Sequence, residues 1–507
     1  MSICCGNERN CVDLARIEKL VKDHEKEVYK TLLNQDERIA DLSCKFNGNI
    51  QAAIAEYMRL MESEGKLEEI ISDTLLNDLY MMEKKTAHII NVKEFGAVGN
   101  GVCNDASAVK KAIDHMEPGD TLHFPRGTYL IRGAVEINKE NITFRGDGLI
   151  VCDYGFRINA SHFKALGLRM EGLEYSQDCR AFMIDNSAQD VNNPDHIENF
   201  VFRDCYFKNF FYAVSAIGGS YNYDGTEAAV GYPVRDLVIE NCHSVTYEDK
   251  NAGHFQCIQV ENIAYINNRT YGGTTASSYN AIKGNGFIRV IGNYDHNNAY
   301  ASCEIENGSG NTVIANNTFC SKIWVDDSYN VVVNANVTKE GILVSVGSGV
   351  GNAENIVVSN NTCKNIRLER FGTYKGGVIK NANIIGNIVN GTNTHGIWVH
   401  GNAVISVKIA HNFITGTNTN DIAIQRNEQL TCYNQGNYGN GKLLLIAGTG
   451  GKVFAIDNYN MNVSGNRDSL DVSHLEKAYN GVKITDANSV AWRVNVNTSG
   501  EVYATKY

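Results

Sequence analysis

The chain has 507 residues, 43% of them hydrophobic, 20% charged and 9% aromatic, with a formal net charge of −11. Its length suggests more than one domain with a large buried core. The acidic balance, with no Lys/Arg-rich block, argues against a nucleic-acid partner, and no run of about 18 apolar residues exists to span a membrane.

Along the chain, MSICCGNERN lacks a basic-then-apolar leader, so no secretory signal is expected. Residues 12–42 read as a helix with Leu14, Ile17, Val21 and Val28 on a heptad seam that His24, Thr31, Gln35 and Arg38 interrupt. So broken a seam predicts either a bundle packed on itself or help from partner chains. Two further amphipathic stretches follow, one carrying Ile50, Ile54, Tyr57 and Met58, the other Leu67, Ile70, Ile71, Leu75 and Leu79. Residues 1–88 are thus expected to form a helical attachment or oligomerisation region, with a linker at residues 84–88.

At Ile89 the character changes to glycine-punctuated strands. Between Ile288 and Thr415 a phrase recurs, apolar-x-apolar-x-x-Asn: Ile288/Val290/Asn293, Thr312/Ile314/Asn317, Val331/Val333/Asn336, Ile356/Val358/Asn361, Ala382/Ile384/Asn387 and Val407/Ile409/Asn412. A period near two dozen residues, with paired apolars two apart and then a turn-former, predicts a parallel β-solenoid. Residues i and i+2 of a strand share a face, so the apolar pairs point inward. The asparagines would stack into a ladder of side-chain amides at a bend. Phe200/Phe202/Cys205 and Leu237/Ile239/Cys242 fit the phrase with Cys in the asparagine slot. The fold class expected is mainly β, a right-handed single-stranded parallel β-helix over residues 89–450. The 14 scattered cysteines, without paired CxxC spacing, read as reduced core fillers.

Before each phrase lies another strand whose outward side chains would line one long face. Gln259, Lys283, Glu304, Glu306, Trp324, Asp326, Leu343, Ser345, Trp398, His400 and Gln425 form that expected set. Glu304 and Glu306 share a face at i, i+2, and Asp326 falls one coil on. Three acids so close raise the proton affinity of at least one, and a neutral acid beside an ionised one is what glycosidic cleavage needs. Glu304, Glu306 and Asp326 are therefore the candidate catalytic residues, weighed against a merely solvated acidic face. Trp324 and Trp398 are candidate sugar-stacking platforms, and His400, Lys283 and Gln259 candidate substrate contacts. Lyase chemistry would need a base such as Lys283, His400 or Arg426. Asp326-Asp327, His254, His395, His400 and His411 show no metal-ligand spacing, so no metal or cofactor is expected. The long interruptions at 185–199 and 220–232 are alternative walls of a site.

The opening segment Phe95-Gly96-Ala97-Val98-Gly99, Asn104-Asp105, a helix over residues 106–115 and Phe124-Pro125-x-Gly127-Thr128-Tyr129 resembles that of the pectate-lyase-like superfamily of right-handed β-helices. Asn100 and Cys103 stand where that pattern usually has Asp and Thr. Near the end, Trp492-Arg493-Val494-Asn495-Val496 alternates before a Thr-Ser-Gly turn and a last strand, so residues 451–507 are expected to be a C-terminal β region. This hairpin, with EGKLEEIISDTLLNDL, resembles the tail spikes and fibres of phages of Gram-positive bacteria. The resemblance implies a homotrimeric virion spike, assembled in the host cytoplasm, that trimerises through residues 451–507 and binds other tail proteins through residues 1–88. It further implies a host surface polysaccharide as the ligand, cleaved by hydrolysis more than by elimination, or bound without cleavage.

Overall fold

The computed structural model describes residues 88–186, 196–218, 234–274, 276–347, 351–370, 377–391, 395–416, 419–425 and 429–439. Beyond them it describes the strands Lys442–Ile446, Lys452–Ile456, Asn462–Gly465, Val482–Thr485, Ala491–Val496 and Val502–Lys506. Two compact units divide the chain, residues 1–87 and 88–507. The helices expected before residue 84 lie outside the described residues, as do most of the interruptions at 185–199 and 220–232.

From Ile89 to Gly465 the described strands wind as a parallel β-helix. Successive coils place one strand in each of three parallel sheets, here A, B and C. Sheet A carries the recurring phrase, and its register stacks Ile288, Thr312, Val331, Ile356, Ala382 and Val407 in one column. Val290, Ile314, Val333, Val358, Ile384 and Ile409 stack in the next inward column. Every one of these side chains is buried. They meet the inward residues of the other two sheets, such as Phe319 from sheet B and Ile305, Val325 and Val344 from sheet C, in one continuous apolar core.

The asparagines form the expected ladder at the bend from sheet A to sheet B. The backbone N–H of Asn336 and its Nδ2 both donate to Asn361 Oδ1, at 2.9 and 3.0 Å. Asn361 repeats the pattern on Asn387, and its Nδ2 also donates to the Val333 carbonyl one coil back. Each buried amide thereby satisfies backbone groups that the bend would otherwise leave unpaired. The ladder runs further than the sequence phrase foresaw, from Asn268 to Asn437. In the earlier coils the Cys242 thiol takes over one of these bonds, donating to the Phe202 carbonyl.

The residue before Cys242 and before each ladder asparagine is left-handed: Asn241, Asn267, Gly292, Asn316, Ala335, Asn360, Gly386, His411 and Gly436 all have φ between 53° and 70°. Asn and Gly adopt this conformation at least cost, which is why they dominate the column. A second amide ladder, exposed and not foreseen, runs through Asn311, Asn330, Asn355 and Asn381, each also at positive φ.

The opening segment builds the expected end of the stack. The helix Ala106–His115 buries Ala108, Val109, Ala112 and Ile113 against the core, so its apolar face covers surface that the first coil would expose. Asp105 accepts the Val98 and Gly99 amides, fixing the turn before the helix. Asn100, one of the departures from the usual pattern, accepts the Val102 and Cys103 amides and so holds its own turn. At the other end, parallel pairing continues past residue 450 through Lys452–Ile456 and Asn462–Gly465. The chain then closes with Ala491–Val496 and Val502–Lys506 paired antiparallel, the hairpin that the alternation predicts.

Candidate active site on the outer face of sheet C

Sheet C positions the candidate residues. In its strands Cys303, Ile305, Ile323, Val325, Ile342 and Val344 point into the core, so alternation turns Glu304, Glu306, Trp324, Asp326, Leu343 and Ser345 outward. The register sets Asn280, Glu304, Trp324, Leu343, Arg367 and Trp398 in one outward column. Ile282 and Glu306 stand in the neighbouring column, which continues with Asp326, Ser345 and Glu369.

Outward does not mean exposed here. Glu304 and Glu306 are each only 6% exposed, Trp324 4% and Asp326 0%. The three acids lie beneath the molecular surface, where an unpaired carboxylate is costly. Their surroundings differ. Glu304 receives the Ser277 hydroxyl and the Asn280 amide on Oε2 and the Tyr300 hydroxyl at 3.4 Å on Oε1. Burial raises its proton affinity, while those donors and the Lys322 ammonium pull it back. Glu306 is pushed well above the usual carboxylate range, first by burial and then by the charges of Glu304, Asp326 and Asp327, with only Asn280 opposing. Both carboxyls therefore hold their protons more tightly than a free glutamate, Glu306 the more strongly of the two.

Asp326 accepts the Ser345 hydroxyl, and Ser345 in turn accepts the Trp324 indole N–H at 2.7 Å. Trp324 is therefore not the exposed platform expected of it: its ring is covered, its polar edge is spent on Ser345, and the Lys322 Nζ lies 4.2 Å from its centroid. Burial lowers the proton affinity of Lys322, against the pull of Glu304. Trp398 is half-buried and stacks on His395, with centroids 4.4 Å apart, while the His400 ring is 6.1 Å away. This aromatic patch lies four rungs from Glu304, roughly 19 Å along the stack.

Gln259 and Lys283 do not join the face as expected. Their strands end at Ile258 and Ile282, and both residues sit at the following corner with φ of 53° and 50°. There the Gln259 amide donates to Ile282 O and the Lys283 amide to Glu306 O. Asn280 occupies the outward position instead. Ser277, Asn280, Tyr300 and Lys322 were missed. A signal existed for Asn280: Gln256, Asn280 and Glu304 recur at 24 residues and pair in register. Asp327 sits at the same corner as Lys283, with φ of 44°, and accepts the Gly347 amide. Among the described residues no group of three or more His, Cys, Asp or Glu is placed to hold a metal ion.

Comparison with known proteins finds similarity to carbohydrate-related and surface proteins. The family described as rhamnogalacturonase A/epimerase, pectate lyase-like, matches residues 89–161. A mannuronan C5-epimerase of Azotobacter vinelandii is 40% identical over 63 residues, which are 12% of this chain and 4% of the epimerase. A plasmin and fibronectin-binding protein of Streptococcus pneumoniae is 35% identical over 77 residues, 15% of this chain and 10% of that protein. The catalytic domain of a family 87 α-1,3-glucanase, solved with nigerose, superposes with a TM-score of 0.48 at 10% identity over 66% of each chain. The family match is thus confined to residues 89–161, and this chain covers only a small part of each curated relative.

Proposed function

We propose that this chain is a phage tail spike that binds a host surface polysaccharide and hydrolyses its glycosidic bonds on the outer face of sheet C. One observation carries the reading. Glu304 and Glu306 share a face two residues apart, yet donors surround Glu304 while negative charge surrounds Glu306. Glu306 is then the general acid that protonates the leaving oxygen. Glu304 is the carboxylate that activates water or attacks the anomeric carbon. Asp326, fully buried, acts on Glu306 through its charge and not by touching the sugar. Trp398 and His400 offer the more open surface on which a sugar ring can stack.

The match of residues 89–161 to the rhamnogalacturonase A/epimerase family, together with the partial match to a mannuronan C5-epimerase, supports a glycan as the ligand. The resemblance of the terminal hairpin and of the segment at 64–79 to tail appendages supports a homotrimeric virion protein docked through residues 1–88. A reducing-end assay on isolated capsule or wall glycan tests the chemistry, with Glu306→Gln and Glu304→Gln expected to abolish turnover. Unchanged turnover in both would sink it. An ultraviolet-absorbing unsaturated product would replace hydrolysis by elimination. Light scattering tests the trimer.

The burial of Glu304 and Glu306 favours one alternative, a spike that only binds. Glycan binding without new reducing ends would establish it.

A further inference from the structure

On the same outer face, toward the start of the stack, Ala134, Tyr154, Arg157, Asp178, Arg180 and Met183 line a cavity of about 270 Å³. The register runs outward from Arg157 through Met183, Ser215, Gln256 and Asn280 to Glu304. Five rungs separate the cavity from Glu304, roughly 24 Å along the stack. Gly155, at φ 64°, lets the main chain of Arg180 pass so close that any side chain there would collide with its carbonyl. That approach sets the Tyr154 turn and Arg180 against one another as two walls.

Two guanidinium groups reach this cavity, with Asp178 the one carboxylate in its lining. The Arg180 Nε is buried without a hydrogen-bond partner, and its guanidinium carbon lies 5.8 Å from the centre of the Phe211 ring. Burial lowers the proton affinity of Arg180, a cost that a bound anion would offset. Arg157 is held only loosely by Glu136, at 3.8 Å. Tyr154 presents a ring that is 49% exposed beside them, a surface on which a sugar can stack. Asp178 lowers the net charge of the lining to +1, which a monoanion neutralises, whereas a dianion such as phosphate would leave an excess negative charge beside Asp178.

We propose that this cavity is a subsite for a sugar unit bearing one carboxylate, held by Arg157 and Arg180 with its ring against Tyr154. The proposal rests on the reading that the chain binds a glycan, and it adds that the glycan is acidic. A chain running from Tyr154 to Glu304 along the outer face would place its charged unit several residues from the bond that is cut.

The test is calorimetric titration of the full chain with sodium glucuronate, glucose and inorganic phosphate as separate probes. Glucuronate is expected to bind about tenfold more tightly than glucose or phosphate, and Arg180→Gln or Arg157→Gln to weaken it by about tenfold. Asp178→Asn should strengthen phosphate. Arg157 is exposed, so its replacement is expected to leave the melting temperature unchanged even where that of Arg180 does not. Equal binding of glucuronate and glucose overturns the proposal, as does an Arg157→Gln chain with unaltered affinity. Phosphate binding as tightly as glucuronate overturns it in favour of a bare anion site. Glucuronate binding in a chain that cleaves no glycan leaves this subsite standing while sinking the hydrolase. Cleavage without glucuronate binding does the reverse.

Discussion

Trp324 and Asp326 lie two positions apart on one strand and are tied together through a single hydroxyl, that of Ser345 on the next rung. The indole therefore holds a buried carboxylate in place. Trp324→Phe removes the N–H that orients Ser345 while keeping most of the apolar surface. The expected result is a loss of about 1–2 kcal/mol in stability, with glycan affinity unchanged. Trp398→Ala should behave in the opposite way, weakening glycan binding while leaving unfolding nearly unaltered. Chemical denaturation and binding isotherms on the two variants separate the roles, and a Trp324→Phe chain that loses affinity without losing stability would restore the platform reading.

Glu306 gives a pH dependence whose sign is fixed. An unfolded glutamate titrates at about 4.3, and in the folded chain burial and neighbouring charge push Glu306 well above that. Between the two values the folded state holds a proton that the unfolded state has lost. Stability then falls as pH rises through that window and levels off above the folded value. Glu306→Gln should flatten this part of the profile and stabilise the protein on its alkaline side. Urea midpoints across pH 4 to about 9 measure it. Turnover should also fall on the alkaline limb, where the general acid is spent. A wild-type profile rising through the same range would show that Glu306 is ionised and cannot donate.

The coil register was legible in the sequence because each of its parts obeys a local rule. Val331 and Val333 share a face by alternation, and Asn336 follows at a bend that its amide can satisfy; the observed columns match residue for residue. Outward parity at Glu304, Glu306 and Asp326 was legible for the same reason. Their depth was not, since covering a face depends on contacts between segments far apart in the chain. Gln259 and Lys283 misled for a different reason. Their positive φ carries no residue-type signal, because neither favours the left-handed region as Asn and Gly do. Asn280 was hidden because the alternation was set on Lys283, three positions later and of opposite parity, which lies at the corner and not on the face.

The ladder predicts a specific cost for losing one amide. Asn361→Leu leaves the Asn336 backbone N–H and Nδ2 without their acceptor and the Val333 carbonyl without its donor. Leucine is of similar size, so the cavity term is small and the lost hydrogen bonds dominate. A destabilisation of about 2–4 kcal/mol is expected, measured as a shift of the denaturation midpoint. A loss below about 0.5 kcal/mol would mean that water replaces the amide at the bend.

Ala335 offers the converse test. It sits at φ 55° in a column where Asn316 and Asn360 occupy the equivalent places above and below. For alanine the left-handed conformation costs about 1 kcal/mol, whereas asparagine adopts it readily without the extra chain entropy that glycine would add to the unfolded state. The side chain is half-buried, which leaves an amide part of its hydration. Ala335→Asn is therefore expected to stabilise the helix by roughly 0.5–1 kcal/mol, and Ala335→Val, β-branched at the same φ, to destabilise it by more than that. The two variants bracket the wild type only if the backbone at this bend is fixed by the ladder asparagine that follows it. A valine tolerated without loss would mean that the coil relaxes to negative φ, and Asn336 would then lose the geometry that lets both its donors reach Asn361 Oδ1.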